Sequence, residues 1–110
     1  MNRTILIHSN RLGRGDDALG EVLMASFLRK LCVAQNKPDR IILYNSAVLL
    51  ASQGSQVLDA FETMASDGVD ILSCGTCLGH FGMLDKLEVG RKSDMQEITG
   101  ILVSDQVTTV

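Results

Sequence analysis

Three short, continuous apolar runs limit what this chain can become: Thr4–His8 (TILIH), Arg40–Tyr44 (RIILY) and Val69–Ser73 (VDILS). Runs of this length read as buried strands, and strands apolar at successive positions belong to parallel sheets covered on both faces. Between them the apolar spacing changes to three and four. From Asp17 the set Leu19, Val22, Leu23, Phe27, Leu28, Leu31 and Cys32 predicts a helix running to about Gln35, with Pro38 marking its end. Ser55 stands where an N-cap belongs, and Val57, Leu58, Phe61, Met64 and Ala65 predict a second helix up to Gly68.

Beyond the third run, Thr76 is expected to cap a short helix through about Leu84, and Leu87–Val89 to form a small strand. Ser93-Asp94-Met95-Gln96 has the form of a capping box, so a helix is expected from Asp94 to about Ser104, followed by a last strand over Gln106–Val110. Strands alternating with helices predict an α/β domain with a mostly parallel five-stranded sheet. At 110 residues, 45% of them hydrophobic, the chain fills one such domain, residues 1–110, with no room for a second.

In open parallel sheets the working end is the carboxyl edge of the strands. The turns after the three runs, SNRLGRGDD, YNSAV and SCGTC, should therefore gather Asn10, Asp16, Asn45, Cys74 and Cys77 on one rim. A net charge of −3, ten scattered basic residues and no Trp leave no footprint for nucleic acid. MNRTILIHSN contains neither a signal-peptide core nor a membrane span, so a cytoplasmic location is expected, with no membrane partner. Three cysteines, an odd number without an export signal, point to reduced thiols.

The turn GRGDDA satisfies the dinucleotide pattern G-x-G-x-x-A only formally. Gly13 lies too far beyond His8 for the tight turn, and Asp16 and Asp17 put carboxylates where phosphates would sit. Gly13 and Gly15 instead supply an unusual backbone path, and Asp16 caps the following helix. Cys74 and Cys77 supply two ligands toward the four that zinc needs; His80 and His8 are the conceivable remainder, while Cys32 lies on the apolar helix stripe as a small hydrophobe. No metal and no cofactor is expected. A cysteine between a strand's end and a helix's N-terminus is favoured as thiolate, which would make the C-x-x-C pair nucleophilic; the alternative is a pair of packed, inert thiols. A thioredoxin would carry its C-x-x-C after the first strand, with a proline-containing partner loop, and this chain has neither. A sulfur carrier needs one exposed thiolate to accept a sulfane sulfur and can use a second cysteine to resolve the persulfide.

Taken together, SNRLGRGDDALGEVLMASFL, ILYNSAV, SQGSQVLDAFETMASDGVDILSCGTCLGHFGMLDKLEVG and SDMQEI resemble the DsrE/DsrF-like family, most closely the C-terminal domain of YedF-type selenium-metabolism proteins. The resemblance covers nearly the whole chain. It implies a three-layer α/β/α sandwich assembled into homo-oligomers such as trimers or hexamers. It also implies a sulfurtransferase-like relay that passes a cysteine persulfide to partner donor and acceptor proteins. The position matching the family's working cysteine is Cys74, with Cys77 completing the CGTC variant. Asn10, Asn45, Gly13, Gly15, Asp16, Asp17, Gly75, Thr76 and His80 are expected to shape the pocket. Gly79 and His80 stand where many relatives carry an acidic residue and an aromatic. YedF-type proteins place a TusA-like domain ahead of this one; without it here, the relay would run to a separate protein, such as a TusA-like one. The readings left beside this one are a non-catalytic oligomeric binding module with packed or metal-binding thiols, and a C-x-x-C redox protein.

Overall fold

The computed structural model describes residues 2–110. Five strands, β1 (Arg3–Ile7), β2 (Arg40–Leu43), β3 (Asp70–Cys74), β4 (Arg91–Ser93) and β5 (Gln106–Thr109), form one all-parallel sheet in the order β4-β3-β2-β1-β5. Helices α1 (Asp17–Cys32) and α2 (Leu58–Ser66) cover one face and α4 (Met95–Ser104) the other, which gives the expected three-layer α/β/α sandwich. A 3₁₀ segment, Asn45–Ala51, follows β2, and the short helix α3 (Gly75–His80) follows β3. Among the described residues no helix is long and apolar enough to cross a membrane.

Strand parity builds both cores. Ile5, Ile41 and Ile71 lie side by side and face α1 and α2, whereas Leu6, Ile42 and Leu72 face α4. Met24, Leu28, Phe61 and Met64 fill the first layer, and Ile98 and Ile101 fill the second. The apolar stripe expected on α1 is turned from the buried one. Leu19, Val22 and Leu23 are 54%, 64% and 43% exposed, because the helix buries Gly20, Met24 and Leu28, with Phe27, Leu31 and Cys32 only partly covered.

Three further expectations shift. Ser55 does not cap α2: its hydroxyl accepts from the Val57 N–H, closing a turn ahead of the helix, and Val57 occupies the cap position. The capping box moves one residue on, with Asp94 accepting from the Glu97 N–H at 2.8 Å. Leu87–Val89 is not the fourth strand; Leu87 makes one antiparallel bridge to Ser52, and β4 begins at Arg91. Gly90 forces that delay. Its φ of +82° is left-handed, and a Cβ there would stand 2.5 Å from the Ile71 carbonyl oxygen.

At the amino ends of the strands a polar belt crosses the sheet on the α4 side. Asp105, just before β5, accepts from Thr4 Oγ1 at 2.6 Å and from Arg40 Nε at 3.2 Å; Asp70 stands between Arg40 and Arg91; Arg91 forks onto Asp70 and Glu97. The Arg91 guanidinium, helped by the Ser93 hydroxyl, lowers the Glu97 carboxyl from its ordinary 4.5 to about 2. Thr4 and Arg40 hold the Asp105 carboxyl below its usual range as well.

Replacing Gly90 by Ala should combine left-handed strain with a backbone clash, on the order of 3 kcal/mol. Calorimetry should then show a melting temperature lower by roughly 10 °C or more. The belt predicts the acid limb. A carboxyl with a depressed folded pKa stabilises above its unfolded value and loses that contribution as pH falls through the folded one. Melting temperature should therefore drop between about pH 4.5 and about pH 2, and Glu97→Gln should flatten that drop.

Candidate functional site

β3 delivers its last residue, Cys74, to the carboxyl edge of the sheet, and the chain turns into α3 at once. Gly75 makes this possible: a Cβ there would lie 3.1 Å from the Ser93 carbonyl oxygen of β4. Thr76 is thus an exposed second residue of α3 rather than its cap, a position taken by Cys74. Parity sends Ser73 toward the α1/α2 face and Cys74 toward α4, where its thiol is buried beside Leu72 and Ile98, 2% exposed. Cys77, on the first turn of α3, is half-buried and touches both core layers.

The turn after β2 meets Cys77. Asn45 is the one non-glycine residue with positive φ among the described residues, at 54°. Asn tolerates this region better than most side chains, and its own Oδ1 steadies it by accepting from the Ser46 N–H at 2.8 Å. The result aims the Asn45 N–H at Cys77 Sγ, 3.1 Å away. Ser46 extends the connection by accepting from the Asn10 N–H at 3.1 Å, while Asn10 Oδ1 remains buried and unpartnered.

Asn10, Asn45, Gly75, Thr76, Cys74 and Cys77 are therefore brought together across the carboxyl ends of β1, β2 and β3. The other expected pocket residues are not. Asp16 caps α1, its carboxylate accepting from the Leu19 N–H at 2.8 Å. Gly13 and Gly15, with φ of +84° and +134°, shape the loop beyond β1. His80 is exposed at the far end of α3, edge-on to Phe81. Among the described residues no three His, Cys, Asp or Glu side chains lie close enough to share a metal ion. Cys32 packs partly against the α1/α2 core and its thiol donates to the Arg29 carbonyl. Ser46 and the left-handed turn at Asn45 were missed at the level of sequence; the strand-ending YNS was their only signal.

Electrostatically, the site departs from an activated thiolate. Burial pushes the Cys77 thiol up from its ordinary 9.0, the neighbouring Cys74 thiol pushes the same way, and the Asn45 N–H only partly offsets them. A six-residue helix with a half-buried third position offers too little positive potential to reverse that order.

The same fold recurs in solved structures. YchN from E. coli matches with a TM-score of 0.71 and 16% identity, each chain covered completely. MTH1491 from Methanobacterium thermoautotrophicum, described as of unknown function, matches at 0.68 and 18%, again over both whole chains. BT1422 from Bacteroides thetaiotaomicron, also of unknown function, matches at 0.61 and 15%, over 99% of this chain and 95% of its own. These neighbours have the DsrE-like fold, and this chain shares it. No family model and no curated protein matches the sequence.

In a Cys32→Ala background, alkylation of Cys77 followed by peptide mass mapping should accelerate with pH along a curve centred above 9, and Cys74→Ala should move that curve down. A parent curve centred well below 9 would contradict the burial argument.

Proposed function

We propose that this chain is a sulfur carrier of the sulfurtransferase type, in which Cys77 accepts a sulfane sulfur and hands it to a partner thiol. The supporting observation is the constellation at the carboxyl edge: a half-buried Cys77 Sγ, an Asn45 N–H at 3.1 Å and a second thiol, Cys74, just beneath. The DsrE-like fold and the CGTC resemblance to the YedF-type proteins agree with this reading, and extend it to selenium carried in the same place.

Loading transfers the outer sulfur. The Cys77 thiolate attacks the terminal sulfur of a donor persulfide, R–S–SH; a new S–S bond forms on Cys77, the donor S–S bond breaks, and the donor leaves as thiolate. An acceptor thiolate then attacks the terminal sulfur of Cys77–S–SH, restoring Cys77. Cys74 gives a second exit: its thiolate attacks Cys77 Sγ, hydrosulfide leaves, and a Cys74–Cys77 disulfide remains until a dithiol reduces it. The resemblance points to Cys74 as the working cysteine, but burial favours Cys77 as the first acceptor and Cys74 as the resolving thiol. A raised thiol pKa suits a carrier that waits empty, because oxidation follows thiolate character and exposure.

Homo-oligomer assembly belongs to the same reading, supported by the outward row Leu19, Val22 and Leu23 on α1. Native and intact-protein mass spectrometry after incubation with a cysteine persulfide tests both parts. The parent should gain one sulfur atom, Cys77→Ser should gain none, Cys74→Ser should keep its sulfur longer than the parent, and the intact assembly should contain several copies. Unchanged loading in both variants, or a Cys74–Cys77 disulfide formed with no sulfur ever retained, would replace the carrier by a packing or redox role.

A further inference from the structure

A second feature of the same rim lies apart from the cysteines. In the order β4-β3-β2-β1-β5 the chain leaves β1 over the face covered by α1, yet reaches β5 over the opposite face through α4. Such a reversal opens a crevice outside the carboxyl ends of the two neighbouring strands, the usual ligand position in open parallel sheets. A cavity of about 540 Å³ occupies that place, walled by His8, Arg11, Arg14, Asp17 and the left-handed Gly13 and Gly15, with Val110 on its β5 side.

The arginines set it apart. The chain has six. Arg3, Arg29, Arg40 and Arg91 all donate side-chain hydrogen bonds within the protein. Arg11 and Arg14, the two on this cavity, donate none among the described residues. Arg11 approaches Asp17 and Glu21 only at 3.9 and 3.6 Å, and its Nε is buried without a partner. Its position is nonetheless fixed by the fold: the Leu12 N–H donates to the Gly20 carbonyl at 2.9 Å, and a Cβ on Gly20 would stand 2.9 Å from Arg11 Cβ. Two guanidinium forks with unused donors, on a wall kept open by two glycines, form a receptor for oxygen anions.

We propose that this crevice binds a small molecule through a tetrahedral oxyanion of the phosphate or sulfate type, held between Arg11 and Arg14. One fork saturates the two oxygens of a carboxylate, whereas two forks call for the additional oxygens of a tetrahedral group. The cavity exceeds a bare ion and falls in the ~300–1,000 Å³ range of small-molecule sites. The Asp16 carboxylate already holds the Leu19 N–H, and the Asp17 carboxylate, 77% exposed and 3.9 Å from Arg11 Nε, is free to turn to solvent, so the anion is read by the arginines and not, as in a dinucleotide turn, by the start of α1. The site stands independently of sulfur at Cys77, since it lies at β1 and β5 while the thiols lie at the end of β3 and just beyond it, with β2 between.

Inorganic pyrophosphate, titrated at constant ionic strength by calorimetry and by amide NMR, tests this. Binding should saturate, with shifted amides confined to Ser9–Asp17 and Val110. Arg14→Gln, at an exposed residue whose side chain makes no hydrogen bond or ion pair among the described residues, should weaken it roughly tenfold or more, and Arg11→Gln/Arg14→Gln should abolish it, while Arg29→Gln leaves it unchanged. Absence of saturation in the parent, or equal binding by parent and Arg14→Gln, would overturn the proposal. Malonate binding as tightly as pyrophosphate would overturn the tetrahedral assignment.

Discussion

The register of β1, β2 and β3 is the constraint on which the remainder rests. Ile5–Ile41–Ile71 and Leu6–Ile42–Leu72 stand in adjacent rows that face opposite layers. A slip of one residue in any of these strands would send every side chain to the other core, where partners of the wrong shape wait. With both layers filled, the register has no tolerance. It also sets the ends level: Ile7 pairs with Leu43 and Leu43 with Ser73, so the three following turns leave the sheet side by side. The candidate site is a consequence of that alignment, because Asn10, Asn45 and Cys77 come from three different turns.

The same parity assigns different environments to the two thiols. Cys74 still belongs to β3, so it is committed to the α4 layer and buried. Cys77 has left the strand, and the short α3 sets it against the left-handed turn at Asn45. Proximity of two thiols in sequence therefore says little about their reactivity; what separates them is which side of the strand's end each falls on. A thiol kept protonated by burial, with one backbone donor aimed at its sulfur, is suited to a charge that develops only when a reaction partner is present.

Much of this was legible in the residues. Continuous apolar runs gave the parallel sheet, because burial on both faces leaves no polar alternation to confuse them. The turn glycines and the Asp16 cap were legible for a local reason, since backbone geometry and a cap hydrogen bond involve only near neighbours. The phase of α1 was not. Leu19, Val22 and Leu23 obey helical spacing as well as Met24 and Leu28 do, and it is the arc of Gly20, Met24 and Leu28 that packs inward, with Gly20 close against Arg11. The fourth strand was misplaced for a similar reason: Leu87–Val89 has strand composition, but Gly90 must pass over the Ile71 carbonyl before pairing can begin. Cys74 was expected to be a reactive thiol because it lies where a strand ends and a helix begins, and strand parity, which buries it against α4, overrode that local signal.

The two ends of the sheet are treated in opposite ways. At the amino ends, Asp105, Thr4, Arg40, Asp70, Arg91 and Glu97 form a continuous belt from β5 to β4 and onto α4. Single exposed ion pairs contribute little, but a connected chain of contacts, bidentate at Arg91 and single at Arg40 and Thr4, links every strand where α4 alone covers that face. At the carboxyl ends several polar groups are left unmatched: Asn10 Oδ1, Ser73 Oγ and Arg11 Nε are buried without hydrogen-bond partners, and Arg14 is unpaired among the described residues. Unsatisfied groups cost stability wherever they are buried. Their concentration at one end of a sheet whose other end is so fully paired follows if the amino end supplies rigidity and the carboxyl end is kept available to bind.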